Sequence, residues 1–182
     1  MMKPIRFNYD MDGVLVDLNQ GLRDQFNTEY PDHQIEQETF DIWRAGVFDK
    51  IAASGINFWK DLPILPGAHS ILAAGKKYSL HRRVITAYPR GWATQEQRSP
   101  VYLGKKFWLL DQVDFETAQN MYMCYAHQKQ EFCDYKNFVD VLIDDHISNI
   151  SRWVAAGGVG ILYQSPEQVI DEINEIGAKY RC

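Results

Sequence analysis

Two aspartates, Asp10 and Asp12, stand two residues apart in the run Phe7-Asn8-Tyr9-Asp10-Met11-Asp12-Gly13. In extended backbone that spacing sends both side chains to one side. Two carboxylates held close repel each other unless a cation or a proton separates them. Magnesium suits such a place, because it prefers hard oxygen ligands and is commonly held by one or two carboxylates plus substrate phosphate. One carboxylate can act as a nucleophile and form an aspartyl-phosphate. The second can protonate the leaving oxygen and later deprotonate the attacking water. A further acidic pair, Asp144-Asp145, can complete the cage. The hydroxyl of Thr86 can donate to a phosphate oxygen, helped by nearby backbone N–H groups. A lysine would add positive charge where phosphoryl transfer accumulates negative charge. Taken singly, each piece has a plainer explanation as a turn, a strand end or a helix N-cap. Their joint order at three separate strand ends is what points to phosphate chemistry.

The elements that must position these groups are legible in the pattern. Ile5, Phe7 and Tyr9 alternate with Arg6 and Asn8, which predicts a strand running into the Asp10–Gly13 turn. Leu18, Leu22 and Phe26 recur at four-residue spacing and predict a helix over about 19–30. The stretch 31–61 has mixed polarity and carries Phe40, Trp43, Phe48, Phe58 and Trp59, as two or three short helices would. Pro66-Gly67 opens a helix to about Lys77, and the β-branched run Arg83–Thr86 predicts a strand ending in a loop over 87–91. Ser99-Pro100 marks a helix start, with the helix reaching Leu110. Strands are predicted at Asn120–Tyr125, Val139–Ile143 and Val159–Tyr163. Helices are predicted at Ile147–Ala156, stopped by Gly157-Gly158, and after Ser165-Pro166. Strands alternating with helices predict an α/β fold built on a doubly wound parallel sheet. Such sheets bind ligands at the carboxyl ends of their strands, near a switch point. The carboxylates and Thr86 fall there.

The 182 residues allow one such domain with a modest insertion. Lys and Arg total 19 against 24 Asp and Glu, a net charge of −5, which argues against a nucleic-acid polymer but leaves room for a single nucleotide. Cys124, Cys133 and Cys182 are odd in number and form no C-x-x-C pair, so neither a disulfide framework nor a structural zinc site is expected. No apolar run of about 18 residues is present, and a soluble cytoplasmic protein without a signal peptide is expected. The histidines, at 33, 69, 81, 127 and 146, share no metal-ligand spacing; His146 lies beside the acidic pair.

Phe7 to Asp17 resembles the first motif of the haloacid dehalogenase (HAD) superfamily, Val84-Ile85-Thr86-Ala87 the second and Val141 to Asp145 the fourth. Within that superfamily, Phe58 to Ala68 and Tyr102 to Leu109 are similar to stretches of the 5′(3′)-deoxyribonucleotidases. The resemblance implies a Rossmann-like core over 1–17 and 66–182, with a small helical cap over 18–65. It implies Asp10 as nucleophile and Asp12 as general acid/base. It implies Mg2+ held by Asp10, the backbone carbonyl of Asp12, and Asp144, with Asp145 adjacent. Phosphate would be bound by Thr86, the N–H of Ala87, and a motif lysine. Lys129 matches the context of that lysine, with Lys136 the alternative, while Lys105 and Lys106 read as surface charges on a helix. The implied activity is dephosphorylation of a nucleoside monophosphate. Phe40, Trp43, Phe58 and Trp59 are candidates for stacking on its base, against the plainer reading that they form the cap's own core. Arg90 and Trp92 border the expected site as loop residues. A sugar or other metabolite phosphate is the alternative substrate. A protein that kept the fold and binds a nucleotide without turnover is the alternative of another class. A homodimer is expected because the resembled family forms them.

Overall fold

The computed structural model describes residues 3–30, 32 and 54–180. Its centre is a parallel sheet of five strands: β1 Ile5–Tyr9, β2 Arg82–Ala87, β3 Met121–Cys124, β4 Val139–Asp144 and β5 Val159–Leu162. The order is β3-β2-β1-β4-β5. The chain winds outward from β1 through β2 to β3, then crosses back to β4 beside β1. That reversal puts the topological switch point between β1 and β4, where a crevice opens at the strand ends. Tyr9 pairs with Ile143, so Asp10 and Asp144 leave neighbouring strands at one level. The Asp10 N–H donates to the Ile143 carbonyl at 2.9 Å and carries the ladder one step further.

Helices cover both faces, which is why the inner strands are apolar without interruption. Val141, Leu142 and Ile143 are all fully buried. One face, carrying Phe7, Tyr9, Val84, Val141 and Ile143, packs in the larger core. That core takes in α1 (Leu18–Glu29), α3 (Ala68–Tyr78), α4 (Gln95–Gln112) and α7 (Pro166–Tyr180). The other face carries Ile85, Cys124 and Leu142, and packs on Ile150 and Trp153 of α6 (Ile147–Ala155). The short helices α2 (Ile56–Lys60) and α5 (Phe115–Gln119) and a 3-10 helix (Ala126–Phe132) complete the described chain. Two buried tryptophans tie layers together through their indole N–H groups. Trp108 donates to the Leu62 carbonyl at 2.7 Å, and Trp153 to the Asp140 carbonyl at 3.0 Å.

The fold class expected from the pattern is present; α5 and the 3-10 helix are additional to the expected elements, and one helix start is displaced by several residues. Helix α4 begins at Gln95, not at Ser99-Pro100, because Thr94 and Gln97 form a capping box. The Gln97 N–H donates to Thr94 Oγ1 at 3.3 Å, and Gln97 Oε1 accepts from the Thr94 N–H at 3.2 Å. Pro100 therefore lies inside the helix, one turn beyond its start. The backbone on either side of the segment 18–65 is paired. Val16 bridges Ile64 antiparallel, the Asp17 N–H donates to the Pro63 carbonyl at 2.8 Å, and the Leu65 N–H donates to the Leu15 carbonyl at 2.8 Å. Phe40, Trp43 and His33 lie outside the described residues.

Candidate functional site

Four elements deliver the polar groups at the switch point. The first is the turn after β1. Asp10 is 5 % exposed, and its Oδ1 accepts the Met11 N–H at 2.7 Å. Gly13 takes φ 81, and a Cβ there would collide with the Asp145 carboxylate, so only glycine lets the turn close against that side chain. The second element is the end of β4, where Asp144 is fully buried. Its Oδ1 accepts the His146 N–H at 2.9 Å and the Asn149 amide at 3.0 Å. The third is the 3-10 helix after β3, which carries Lys129 inward at 1 % exposure. Lys129 Nζ lies 2.7 Å from Asp10 Oδ2 and 2.7 Å from Asp144 Oδ2, one ammonium bridging two strand ends. Lys136 is exposed and takes no part.

The fourth element is α4, and here the sequence reading is corrected. Lys105 is not a surface charge but fully buried. Its Nζ donates to Asp12 Oδ2 at 2.6 Å, to Thr86 Oγ1 at 2.8 Å and to the Ala87 carbonyl at 3.3 Å. Lys106, its neighbour, is half-buried and lies over the Tyr102 ring. Two signals could have found Lys105. It shares the helix stripe of Val101, Trp108 and Leu109, all buried. It also follows Gly104, where α2 crosses so closely that a Cβ would meet the Trp59 Cβ. A lysine on an apolar stripe is a buried charge in need of partners. Asn149, 3 % exposed, was missed for the same reason, since it shares the inward face of α6 with Ile150 and Trp153.

These groups surround a cavity of about 430 Å3, lined by Asp10, Asp12, Ala87, Lys129 and Asp145, with Asp17 and Tyr163 among its other walls. Carboxylate oxygens of Asp10, Asp144 and Asp145 all lie within 4.8 Å of one another. Three carboxylates thus face one ammonium. Burial raises the Asp10 carboxyl to about 8, only partly offset by Lys129, while Asp144 and Asp12 push it further up. Asp145, its side chain 34 % exposed, is likewise raised, mainly by burial. Burial pulls Lys129 down, but the Asp10 and Asp144 carboxylates outweigh it and hold the ammonium charged well above its ordinary range. Hard oxygen donors with excess negative charge fit a magnesium-like cation.

The other expected residues fall elsewhere. Phe58 and Trp59 are 7 % and 1 % exposed, packed edge to face against each other with centroids 5.0 Å apart. Trp59 also meets the edge of Trp92 at 6.4 Å. That burial matches the core alternative for these two aromatics, and neither lines the cavity. Trp92 is a core residue, whereas Arg90 is exposed. His69, His81, His127 and His146 are exposed, and His146 Nε2 lies 3.9 Å from Asp145 Oδ2. No helix of the described residues is long and apolar enough to cross a membrane.

No protein-family model and no curated protein matches the sequence. Solved structures do match the fold. A hydrolase from Streptococcus pneumoniae TIGR4 is similar with a TM-score of 0.55 at 13 % identity, over 95 % of this chain and 100 % of that one. A hydrolase from Pseudomonas syringae gives 0.52 at 13 % identity, over 95 % and 99 %. A HAD-superfamily hydrolase, subfamily IA, variant 1, from Geobacter sulfurreducens PCA gives 0.52 at 10 % identity, over 94 % and 97 %. At these identities the likeness is one of fold: the described residues have the parallel-sheet architecture of these hydrolases, one of them a HAD-superfamily hydrolase.

Proposed function

We propose that the protein is a magnesium-dependent phosphomonoesterase of the HAD superfamily, with Asp10 as nucleophile and Asp12 as general acid/base. The observation that carries this reading is Lys129, buried between Asp10 and Asp144 at the switch point and 2.7 Å from each. An Asp10 oxygen attacks phosphorus, the ester oxygen leaves with a proton from Asp12, and water activated by Asp12 then hydrolyses the aspartyl-phosphate. Asp10, Asp144, Asp145 and the backbone carbonyl of Asp12 would hold the magnesium, which supplies charge neutralisation at the transferring phosphoryl group. Thr86, the Ala87 N–H and Lys129 receive the phosphate oxygens.

The substrate in this reading is a nucleoside monophosphate, supported by the resemblance of Phe58–Ala68 and Tyr102–Leu109 to the deoxyribonucleotidases. The segment 18–65 would serve as the cap over it. The burial of Phe58 and Trp59 favours a second reading, a phosphorylated metabolite without a base to stack. A cytoplasmic setting and a homodimer belong to the same proposal. The test is phosphate release with magnesium from a panel of 5′- and 3′-nucleotides and sugar phosphates, with Asp10→Asn beside wild type. Release that favours deoxynucleotides and disappears in the variant supports the full reading. Release from other esters alone keeps the phosphatase and removes the nucleotidase. Full activity in Asp10→Asn removes Asp10 as nucleophile.

A further inference from the structure

Lys105 spends all three of its ammonium protons on Asp12 Oδ2, Thr86 Oγ1 and the Ala87 carbonyl. It has none left for a ligand, and it does not line the cavity, whereas Asp12 does. Its burial is deliberate in the energetic sense. An apolar side chain would fill the stripe between Val101 and Trp108 without desolvating a charge, and a buried ion pair is weak evidence of stability. The ammonium is also held from behind, 5.3 Å from the centroid of the Trp59 ring. The Asp12 side chain is 25 % exposed and lines the cavity, while its Oδ1 is closed off from solvent and has no hydrogen-bond partner among the described residues, so Lys105 is what fixes the carboxyl. Thr86 accepts from Lys105 on its oxygen, so its hydroxyl hydrogen is free to point elsewhere.

We propose that Lys105 is a positioning residue that holds the Asp12 carboxyl, by its Oδ2, in the orientation from which it hands a proton to the leaving group. The inference rests on the phosphatase reading above. In the step concerned, a bond forms between an Asp10 oxygen and phosphorus while the ester P–O bond breaks. Its electron pair goes to the leaving oxygen, which takes the proton from the Asp12 carboxyl and departs as a neutral alcohol. Help of this kind matters for an alkoxide leaving group and little for nitrophenolate, which leaves without a proton.

The experiment compares kcat/KM, which reports transfer to Asp10, for glycerol phosphate and p-nitrophenyl phosphate. In Lys105→Met the value for glycerol phosphate should fall by about 10²-fold or more, as loss of a general acid does, and that for p-nitrophenyl phosphate by less than about 10-fold. Lys106→Met, next along the helix, should leave both unchanged. In an Asp12→Asn background, Lys105→Met should cost little more on glycerol phosphate, because the two act as one unit. If Lys105→Met does not fold, Lys105→Arg keeps the charge while displacing the donors and should show the same split. Equal losses on both esters, or a full further loss in the Asp12→Asn background, overturn the inference alone. A wild type that releases phosphate from neither ester and from no nucleotide or sugar phosphate of the panel overturns the phosphatase reading, and this one with it.

Discussion

Two polar networks are buried between the same strands, and they differ in whether they are complete. The first belongs to the amino-terminal half of the sheet. Asp140, 1 % exposed, takes Arg6 in a two-pronged pair at 2.9 and 2.5 Å. It also accepts the Asn8 amide at 2.7 Å and the Asp134 N–H at 2.6 Å. Arg83 closes the ring, 3.8 Å from Asp140 and donating to Asn8 Oδ1 at 2.7 Å. Every oxygen of that carboxylate is answered, and cations outnumber it. The second network lies a few residues further along, at the carboxyl ends. There, among the described residues, Asp10, Asp144 and Asp145 face one ammonium, and Asp12 keeps an oxygen without a hydrogen-bond partner. A satisfied buried network holds a fold together, whereas an unsatisfied one stores the capacity to bind something. The difference separates scaffold from site in strands that otherwise look alike.

The comparison can be broken by substituting one residue from each network. Lys129→Met should lower phosphate release by about 10²–10³-fold at saturating magnesium, as loss of a fixed charge at developing negative charge does. Steady-state assays with a circular dichroism check of folding would show it. If activity persists, the bridging ammonium is scaffold like Arg6.

The metal-free protein should also respond to pH through Asp10. Its folded carboxyl is raised to about 8 from an ordinary value of 3.8, so the folded state holds a proton that the unfolded state releases. The stability this confers is present below about 4 and is lost as pH rises through about 8. Thermal melts in chelator should therefore show wild type losing stability relative to Asp10→Asn across that window. Parallel curves would mean that Asp10 carries no excess charge.

Asp140→Ala should do the reverse of Lys129→Met. Removing the carboxylate leaves Arg6 and Arg83 buried without it, at a cost of about 3–5 kcal/mol. The Tm should drop by roughly 6–20 °C for a chain of this size, while kcat/KM of the molecules still folded stays near wild type. A loss of activity without a loss of stability would dissolve the distinction between the networks. The smallest effect concerns magnesium itself. At about 100 times its dissociation constant it should stabilise wild type by about 2.7 kcal/mol. Asp140→Ala should keep that increment, and Asp144→Asn should lose most of it, as read by melts with and without the ion.

Much of this was legible in the residues themselves. Parallel strands buried on both faces leave runs such as Val141-Leu142-Ile143, and a carboxylate directly after such a run must emerge at a strand end. That local logic placed Asp10, Thr86 and Asp144 and gave the sheet its class. It misplaced the start of α4, because Ser99-Pro100 is a good start signal and the Thr94–Gln97 capping box five residues earlier is a better one. It left Lys129 and Lys136 as alternatives, because only the path of the 3-10 helix decides which ammonium turns inward. It read Lys105 as solvated, since a lysine in a helix usually is. Burial there depends on α2 crossing at Gly104, a contact between residues more than forty apart. The sequence by itself therefore determined which groups stand at strand ends, because strand period and strand termination are local properties of the chain. Tertiary structure alone decided which lysine answers which aspartate, because pairing depends on which helix faces are pressed against the sheet.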